Sequence, residues 1–345
     1  MKKAPTIRDV AKAAGVSVAV VSRVLNKGTG PVAPATREKV VAVMEELAYR
    51  PRSAARELNQ SQPGTIGLMV TDLANPFFAR LADRVVWEAR ARGLQVVLMT
   101  THEDPHLEAQ FLETLLGRSV GGIIATPTGS NIERWQRLCE VGIKVVFVDR
   151  AVSELEGIDL VSIRNVDSAR AATAYLLDLG HRRIGFISGP LNTSTGRTRV
   201  AGYRAALEEY GVDFDPMLVQ HVSFRGEWGA DAANSLWNLA ARPSAMIVAN
   251  TAQVPNVLRR LRQTRIVIPD ELSIIVFDDN PWTELVSPPL TVIRPPVDML
   301  AVHSVELVVA RMQGKLSESA RQIEVEAEFT VRASCAPISL SAQRT

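Results

Sequence analysis

The sequence is poor in several features that would place it in other classes. It has only two cysteines, Cys139 and Cys335, far apart and without metal-ligand spacing. Neither a disulfide framework nor a zinc site is expected, and both read as small buried apolar residues in a reducing compartment. No run of about 18 apolar residues occurs, and the opening MKKAPTIRDV carries charge where an export signal needs an apolar stretch. The reading is therefore cytoplasmic, with no membrane contact. Also missing are a Gly-x-Gly-x-x-Gly turn after a strand, a phosphate-binding loop, a Gly-x-Ser-x-Gly elbow and a metal-spaced histidine cluster. His102 and His106 merely bracket Pro105 at a helix entry. No enzyme, cofactor or metal is expected.

What is present is a chain of 345 residues, 46% apolar and 22% charged, which is too long for one ordinary core. Its formal charge of +2 conceals an asymmetry. Residues 1 to 62 hold eleven Lys/Arg against five Asp/Glu, so the remainder is mildly acidic. A basic head on a large acidic body is the charge layout of a nucleic-acid-binding segment joined to a sensing body.

In the head, TIRDVAKAAGVSVAVVSRVLN (6 to 26) reads as two helices. Thr6 caps the first, whose apolar face is Ile7, Val10, Ala11 and Ala14, and Gly15 supplies the turn. Ser17 caps the second, with Val21, Val24 and Leu25 facing inward. Residues 34 to 48 form a third amphipathic helix over the first two. The second helix can lie in a DNA major groove, where Arg23 offers a fork to guanine and small apolar residues meet thymine methyls. Beyond Pro51, residues 53 to 59 suffice for about two helical turns, well short of the length at which an isolated helix holds in water.

From Thr65 onward, near-continuous apolar strands alternate with amphipathic helices, several closed by glycine as at Gly93, Gly180 and Gly211. This pattern means parallel sheets covered on both faces, in two groups and hence two lobes. Ligands of such sheets bind beyond the carboxyl ends of the strands. The polar residues there are Asp149 and Arg150, Asn250 and Thr251, Asp278 and Asp279, and the loop from Asn75 to Phe78. Thr195, Arg197 and Arg199 stand at a helix start in GPLNTSTGRTRVAGYRAAL. Asp279 reads as a capping or hinge residue, and Trp228 and Trp282 as packing residues.

The runs TIRDVAKAAGVSVAVVSRVLN, TREKV and YRPRSAARELN resemble the head and hinge of LacI/GalR-type transcriptional repressors, and the likeness extends over nearly the whole chain. The resemblance implies a helix-turn-helix head and a two-lobed α/β body like a periplasmic binding protein, with two parallel doubly wound sheets. It implies a helix-turn-helix DNA-binding domain at 1–50, a hinge and linker at 51–63, an effector-binding and dimerisation domain at 64–338, and a tail at 339–345. The N-lobe would comprise 64–163 plus 293–320, and the C-lobe 164–292 plus 321–338, so that the chain crosses between lobes three times.

The same resemblance makes Leu58 a wedge between base pairs of the minor groove and places Ala55 on the groove floor, which suits an apolar side chain that unstacks a base step. Candidate DNA-facing residues are Thr6, Ser17, Val18, Ala19, Val20, Ser22, Arg23 and Asn26 in the head, and Arg52, Ala55, Arg56 and Leu58 in the hinge. In the body, Asp149, Arg199, Asn250 and Asp278 match residues that hold ligand hydroxyls or charges, and Phe77, Phe78 and Phe224 match apolar walls. Asn75, Thr195 and Arg197 complete the candidate effector set. Carboxylates and arginine beside aromatic faces suit a polyhydroxylated small molecule such as a sugar.

Several residues depart from the family pattern. Val18, Ala19 and Val20 are apolar where base contacts are often polar, and Ala33 replaces a common capping serine. Thr251 and Arg164 replace acids, which makes a sugar acid or sugar phosphate an expectation beside a neutral sugar, and Pro255 falls in the helix after Thr251. Val276 replaces a frequent glycine. Ten residues without heptad leucines follow Cys335, so a homodimer on a near-palindromic double-stranded DNA operator is expected rather than a tetramer. The alternative is a solute-binding component of a sugar transporter, which shares the bilobal body but has no use for the head.

Overall fold

The computed structural model of the chain describes residues 5–25, 32–47, 49, 64–117, 120–224, 228–249, 251–317 and 319–338. Two compact units divide at Gly64 and Thr65. In the first, α1 (Ile7–Ala14), α2 (Val18–Leu25) and α3 (Pro34–Glu46) close over Val10, Ala14, Val21 and Val40, all fully buried. Thr6 caps α1 in a reciprocal box: its hydroxyl accepts from the Asp9 N–H, and the Asp9 carboxylate accepts from the Thr6 N–H at 2.8 Å. The chain reverses at Gly15, whose φ of 67° is left-handed and open to glycine at no steric cost. Ser17 accepts from the Val20 N–H at 3.3 Å and so caps α2, whereas Ala33 makes no side-chain cap for α3. That difference leaves α3 without a bond worth about 1 kcal/mol.

The second unit holds two six-stranded sheets of the same design. The first lobe contains β1 (Thr65–Val70), α4 (Pro76–Ala91), β2 (Gln95–Thr100), α5 (Pro105–Leu116), β3 (Gly122–Ala125), α6 (Ile132–Glu140), β4 (Lys144–Val148) and β5 (Asp159–Ile163). The second contains α7 (Asn165–Asp178), β6 (Ile184–Ser188), α8 (Ser194–Glu209), β7 (Val219–His221), α9 (Gly229–Trp237), β8 (Ala245–Val248), α10 (Val254–Gln263), β9 (Ser273–Phe277) and β10 (Thr291–Arg294). The chain then returns to the first lobe with α11 (Val297–Met312) and β11 (Gln322–Val325), and ends in the second with β12 (Glu328–Thr330). Strand order is β11-β5-β4-β3-β1-β2 in one sheet and β12-β10-β9-β8-β6-β7 in the other, all parallel except the β10–β12 pair. Helices cover both faces of each sheet, which is why β1, β4, β6, β8 and β9 are apolar almost throughout.

The expected lobe boundaries shift at the end of the chain. Residues 293–294, expected in the N-lobe, lie in β10 of the second sheet, and the stretch 321–338, expected wholly in the C-lobe, is split between the two sheets. β11 extends the first sheet and β12 the second, with Glu326 and Ala327 between them. The chain still passes between the lobes three times. Pro255 lies in the first turn of α10, where a missing N–H costs nothing. Cys139, expected to be buried, is exposed on α6, because its position lies next to the inward-facing Leu138 rather than on the same face. Cys335 is half-buried, its thiol donating to the Ile274 carbonyl and pushed up by burial to about 11.

Candidate functional site

The identical strand order gives each lobe the same active edge. β4 and β9 occupy equivalent places, and each ends in an aspartate with left-handed backbone, Asp149 (φ 69°) and Asp278 (φ 67°). Each donates its N–H to the neighbouring strand, Asp149 to the Val161 carbonyl at 2.9 Å and Asp278 to that of Ile293 at 2.8 Å. The bend turns each side chain off the sheet toward the other lobe. Asn75, Phe77, Phe78, Asp149, Thr195, Arg199, Phe224 and Asp278 line one small cavity between the lobes, together with Arg150.

The arginines are held from behind. Arg199 donates from Nε to Asn165 Oδ1 at 2.7 Å and from Nη1 to the Ala249 carbonyl, and its guanidinium lies 4.3 Å from the Phe277 ring centre. Burial pushes its pKa down, opposed by the charges of Asp278 and Asp149. Arg150 makes a fork onto Glu103, with bonds of 2.8 and 2.9 Å, and stacks 4.3 Å from the Phe224 centre. Its Nε lies 3.6 Å from the Asp149 carboxylate yet makes no hydrogen bond among the described residues. Thr195, only 2% exposed, likewise has a buried hydroxyl that makes no hydrogen bond among the described residues. Asp149 is held above the usual carboxylate range by burial, against the pull of Arg150 and Arg199. Asn75 is committed locally: its side chain caps α4 by accepting from the Phe77 N–H at 3.1 Å.

One expectation fails here. Arg197 does not face the cavity; it is exposed and donates to Ser153 Oγ at 2.6 Å and to the Leu191 carbonyl at 2.9 Å. Residues two apart on a helix point about 200° apart, so Arg197 and Arg199 could not share a face, whereas Thr195 and Arg199, four apart, do. Of the two residues behind the expectation of an acidic ligand, Arg164 does not line the cleft. Arg164 lies at a separate hollow with Glu326 and Glu328, while the cleft and its immediate support hold three carboxylates (Asp149, Asp278, Glu103) against two guanidiniums (Arg150, Arg199). Sequence reasoning placed Arg150 at the strand end but left it out of the binding set, and it missed Glu103, 47 positions away and without any local signal.

The remaining readings fall into place around the site. Asp279 is a hub, not a cap: its carboxylate accepts from Arg294, Arg332 and Thr283, which hold it below the usual carboxylate range against the cost of burial. Trp282 packs against the second lobe's core, whereas Trp228 is exposed. His102 Nε2 lies 3.2 Å from Thr100 Oγ1, and no cluster of metal-ligating side chains occurs among the described residues. No helix among them is long and apolar enough to cross a membrane. In the head, Ser17 at the cap of α2 and Val18 and Ala19 on it are exposed, with Val20, Ser22 and Arg23 half-buried beside them. Thr6 is exposed and engaged in its cap. Asn26, Arg52, Ala55, Arg56, Leu58 and Asn250 lie outside the described residues.

Comparison with known proteins agrees with both units. Residues 6–52 match the model of bacterial regulatory proteins, lacI family, and residues 173–335 match that of the periplasmic binding protein-like domain. The HTH-type transcriptional regulator DegA of Bacillus subtilis is 33% identical over 96% of this chain and 98% of its own length. The ribose operon repressor of Escherichia coli is 34% identical over 89% of this chain and 93% of its own. Among solved structures, a complex of the transcriptional regulator CelR with cellobiose superposes with a TM-score of 0.74 at 30% identity, covering 96% of this chain and 99% of that one. The lac repressor dimer bound to operator and the anti-inducer ONPF gives 0.79 at 26% identity, covering 97% and 100%. Such relatives are regulators, not enzymes. The chain is a DNA-binding transcriptional regulator of the LacI family.

Proposed function

We propose that this protein is a dimeric repressor whose grip on a near-palindromic operator is controlled by a neutral polyhydroxylated ligand, a sugar, held between the lobes of the body. One observation carries the ligand reading. Two buried polar atoms, Thr195 Oγ1 and Arg150 Nε, make no hydrogen bond among the described residues, and their residues line the same cavity as Asp149, Arg199 and Asp278. A buried donor or acceptor without a partner costs about 1 to 3 kcal/mol, a cost that a hydroxylated ligand would remove. The carboxylate excess favours a neutral sugar over an acid or phosphate. Relatives named for ribose and cellobiose support the class.

On DNA, Ser17 to Arg23 of α2 would meet base edges, and Leu58 would wedge the minor groove at the operator centre, with Ala55 on its floor and Arg52 and Arg56 nearby. Such a regulator works in the cytoplasm, where the operator is. The test is a calorimetric titration with D-ribose, cellobiose, D-gluconate and ribose 5-phosphate, repeated while fluorescence anisotropy follows an operator duplex selected from random DNA. Binding of a neutral sugar that changes operator affinity is expected. Binding of the acid and phosphate alone would overturn the charge reading. If none of the four binds, the ligand class as probed here fails.

A further inference from the structure

The part of the cleft lined by Asp149, Thr195 and Arg199 measures only about 20 Å³, room for one water molecule, whereas the adjoining hollow lined by Phe77, Arg80, Asp278 and Arg294 measures about 470 Å³. A ligand larger than water reaches Asp149, Thr195 and Arg199 only when the lobes part at that point, and what holds them together there becomes a control element. Two hydrogen bonds cross the rim at one place. The Ala151 N–H in the first lobe donates to Ser194 Oγ in the second at 2.9 Å, and Arg197 Nη2 donates to Ser153 Oγ at 2.6 Å. Both sides are firmly mounted. Val152, between the two first-lobe partners, is buried in that lobe's core, and Arg197 is braced by the Leu191 carbonyl. A third approach lies beside them: a Cβ on Gly129 would come within 2.8 Å of the Asn192 carbonyl oxygen, so the rims meet there backbone to backbone.

We propose that Arg197, Ser153 and Ser194 form a clasp that sets the balance between open and closed lobes before any ligand arrives. They act as positioning residues, not as ligand contacts. The clasp rests on the cleft being the effector site only for its regulatory meaning; its existence is testable without a ligand.

The test uses a buried reporter thiol in the full chain. Thr195→Cys, in a Cys139→Ser, Cys335→Ser background, reacts with a disulfide reagent at a rate proportional to the open fraction, normalised to the same chain in urea. Arg197→Ala, Ser153→Ala and Ser194→Ala are each expected to raise that rate about 2- to 12-fold, the span of a typical hydrogen bond. The Arg197→Ala, Ser153→Ala double variant should gain no more than either alone, since both remove one bond. Gly129→Ala, which wedges the rim without touching the clasp, should also raise it. Unchanged rates in the clasp variants, or a double variant that multiplies the single effects, would overturn the proposal. A failed sugar titration would leave these rates untouched, so the two readings fail separately.

Discussion

Thr195 buries a hydroxyl that makes no hydrogen bond among the described residues, and this makes the ligand reading testable by a single atom exchange. Thr195→Val keeps the shape and removes the unpartnered group. Stability should stay within about 0.5 kcal/mol or rise, since an unsatisfied buried hydroxyl is a cost. Affinity for the effector sugar should fall about 2- to 12-fold, the worth of one ligand hydrogen bond. Urea unfolding and calorimetric titration read the two quantities, and a valine variant that unfolds more easily while binding normally would assign the hydroxyl to the fold instead. Asp149 gives a second prediction, in pH. Its folded pKa is raised by burial, so its contribution is greatest below the ordinary carboxylate range and is lost as pH rises through the raised value. Relative to Asp149→Asn, the parent should therefore lose stability as pH rises above about 4. A stability difference between the two proteins that does not change with rising pH would refute the assignment.

At the scale of elements, the last described segment is stitched to the second lobe by a buried histidine. His181 Nδ1 lies 2.8 Å from Ser244 Oγ and its Nε2 3.1 Å from both Ser273 Oγ and the Ala336 carbonyl, while Ile338 donates to the Leu179 carbonyl. Burial lowers its pKa, with the Ala336 carbonyl opposing. A depressed histidine contributes stability that is present above its unfolded value near 6.5 and is lost as pH falls through the lower folded value. His181→Gln should remove that acid-side loss, visible as a flatter dependence of urea midpoint on pH below about 6.5; an unchanged slope would show that His181 does not titrate in this range. This stitching was not legible in the sequence, because His181, Ser244, Ser273 and Ala336 are joined only by the fold. The strands and the helix stops at Gly93, Gly180 and Gly211 were legible, since burial on both faces writes continuous apolar runs and a helix end writes glycine. Asp149 and Asp278 were legible for the same reason: the strand before each announces where it ends. The β11–β12 break was not, because QIEVEAEFTV alternates as one strand straight through Glu326 and Ala327, and the alternation carries no trace of the change of sheet.

A dimeric repressor of the kind proposed has to present two heads to one operator, and the body exposes apolar side chains that suit pairing. Trp87 on α4 is 66% exposed, with Val86 also exposed beside it. The same helix packs against β2, the edge strand of the first sheet, which itself exposes Leu98. An open sheet edge with apolar side chains invites pairing unless something covers it, and large aromatic residues dominate the energetics of covered patches. A second copy of this chain is the occupant expected of a repressor that reads two half-sites. Trp87→Glu puts a charge at the centre of that patch without disturbing a buried contact, so the stability of the single chain should change by no more than about 0.5 kcal/mol. Sedimentation velocity should then show a monomer at concentrations where the parent is a dimer. Operator affinity should fall together with its salt dependence, because one head neutralises about half as many phosphates as two, and the slope of affinity against salt counts those contacts. A Trp87→Glu protein that remains a dimer and keeps the parental salt slope would move the pairing surface elsewhere on the body.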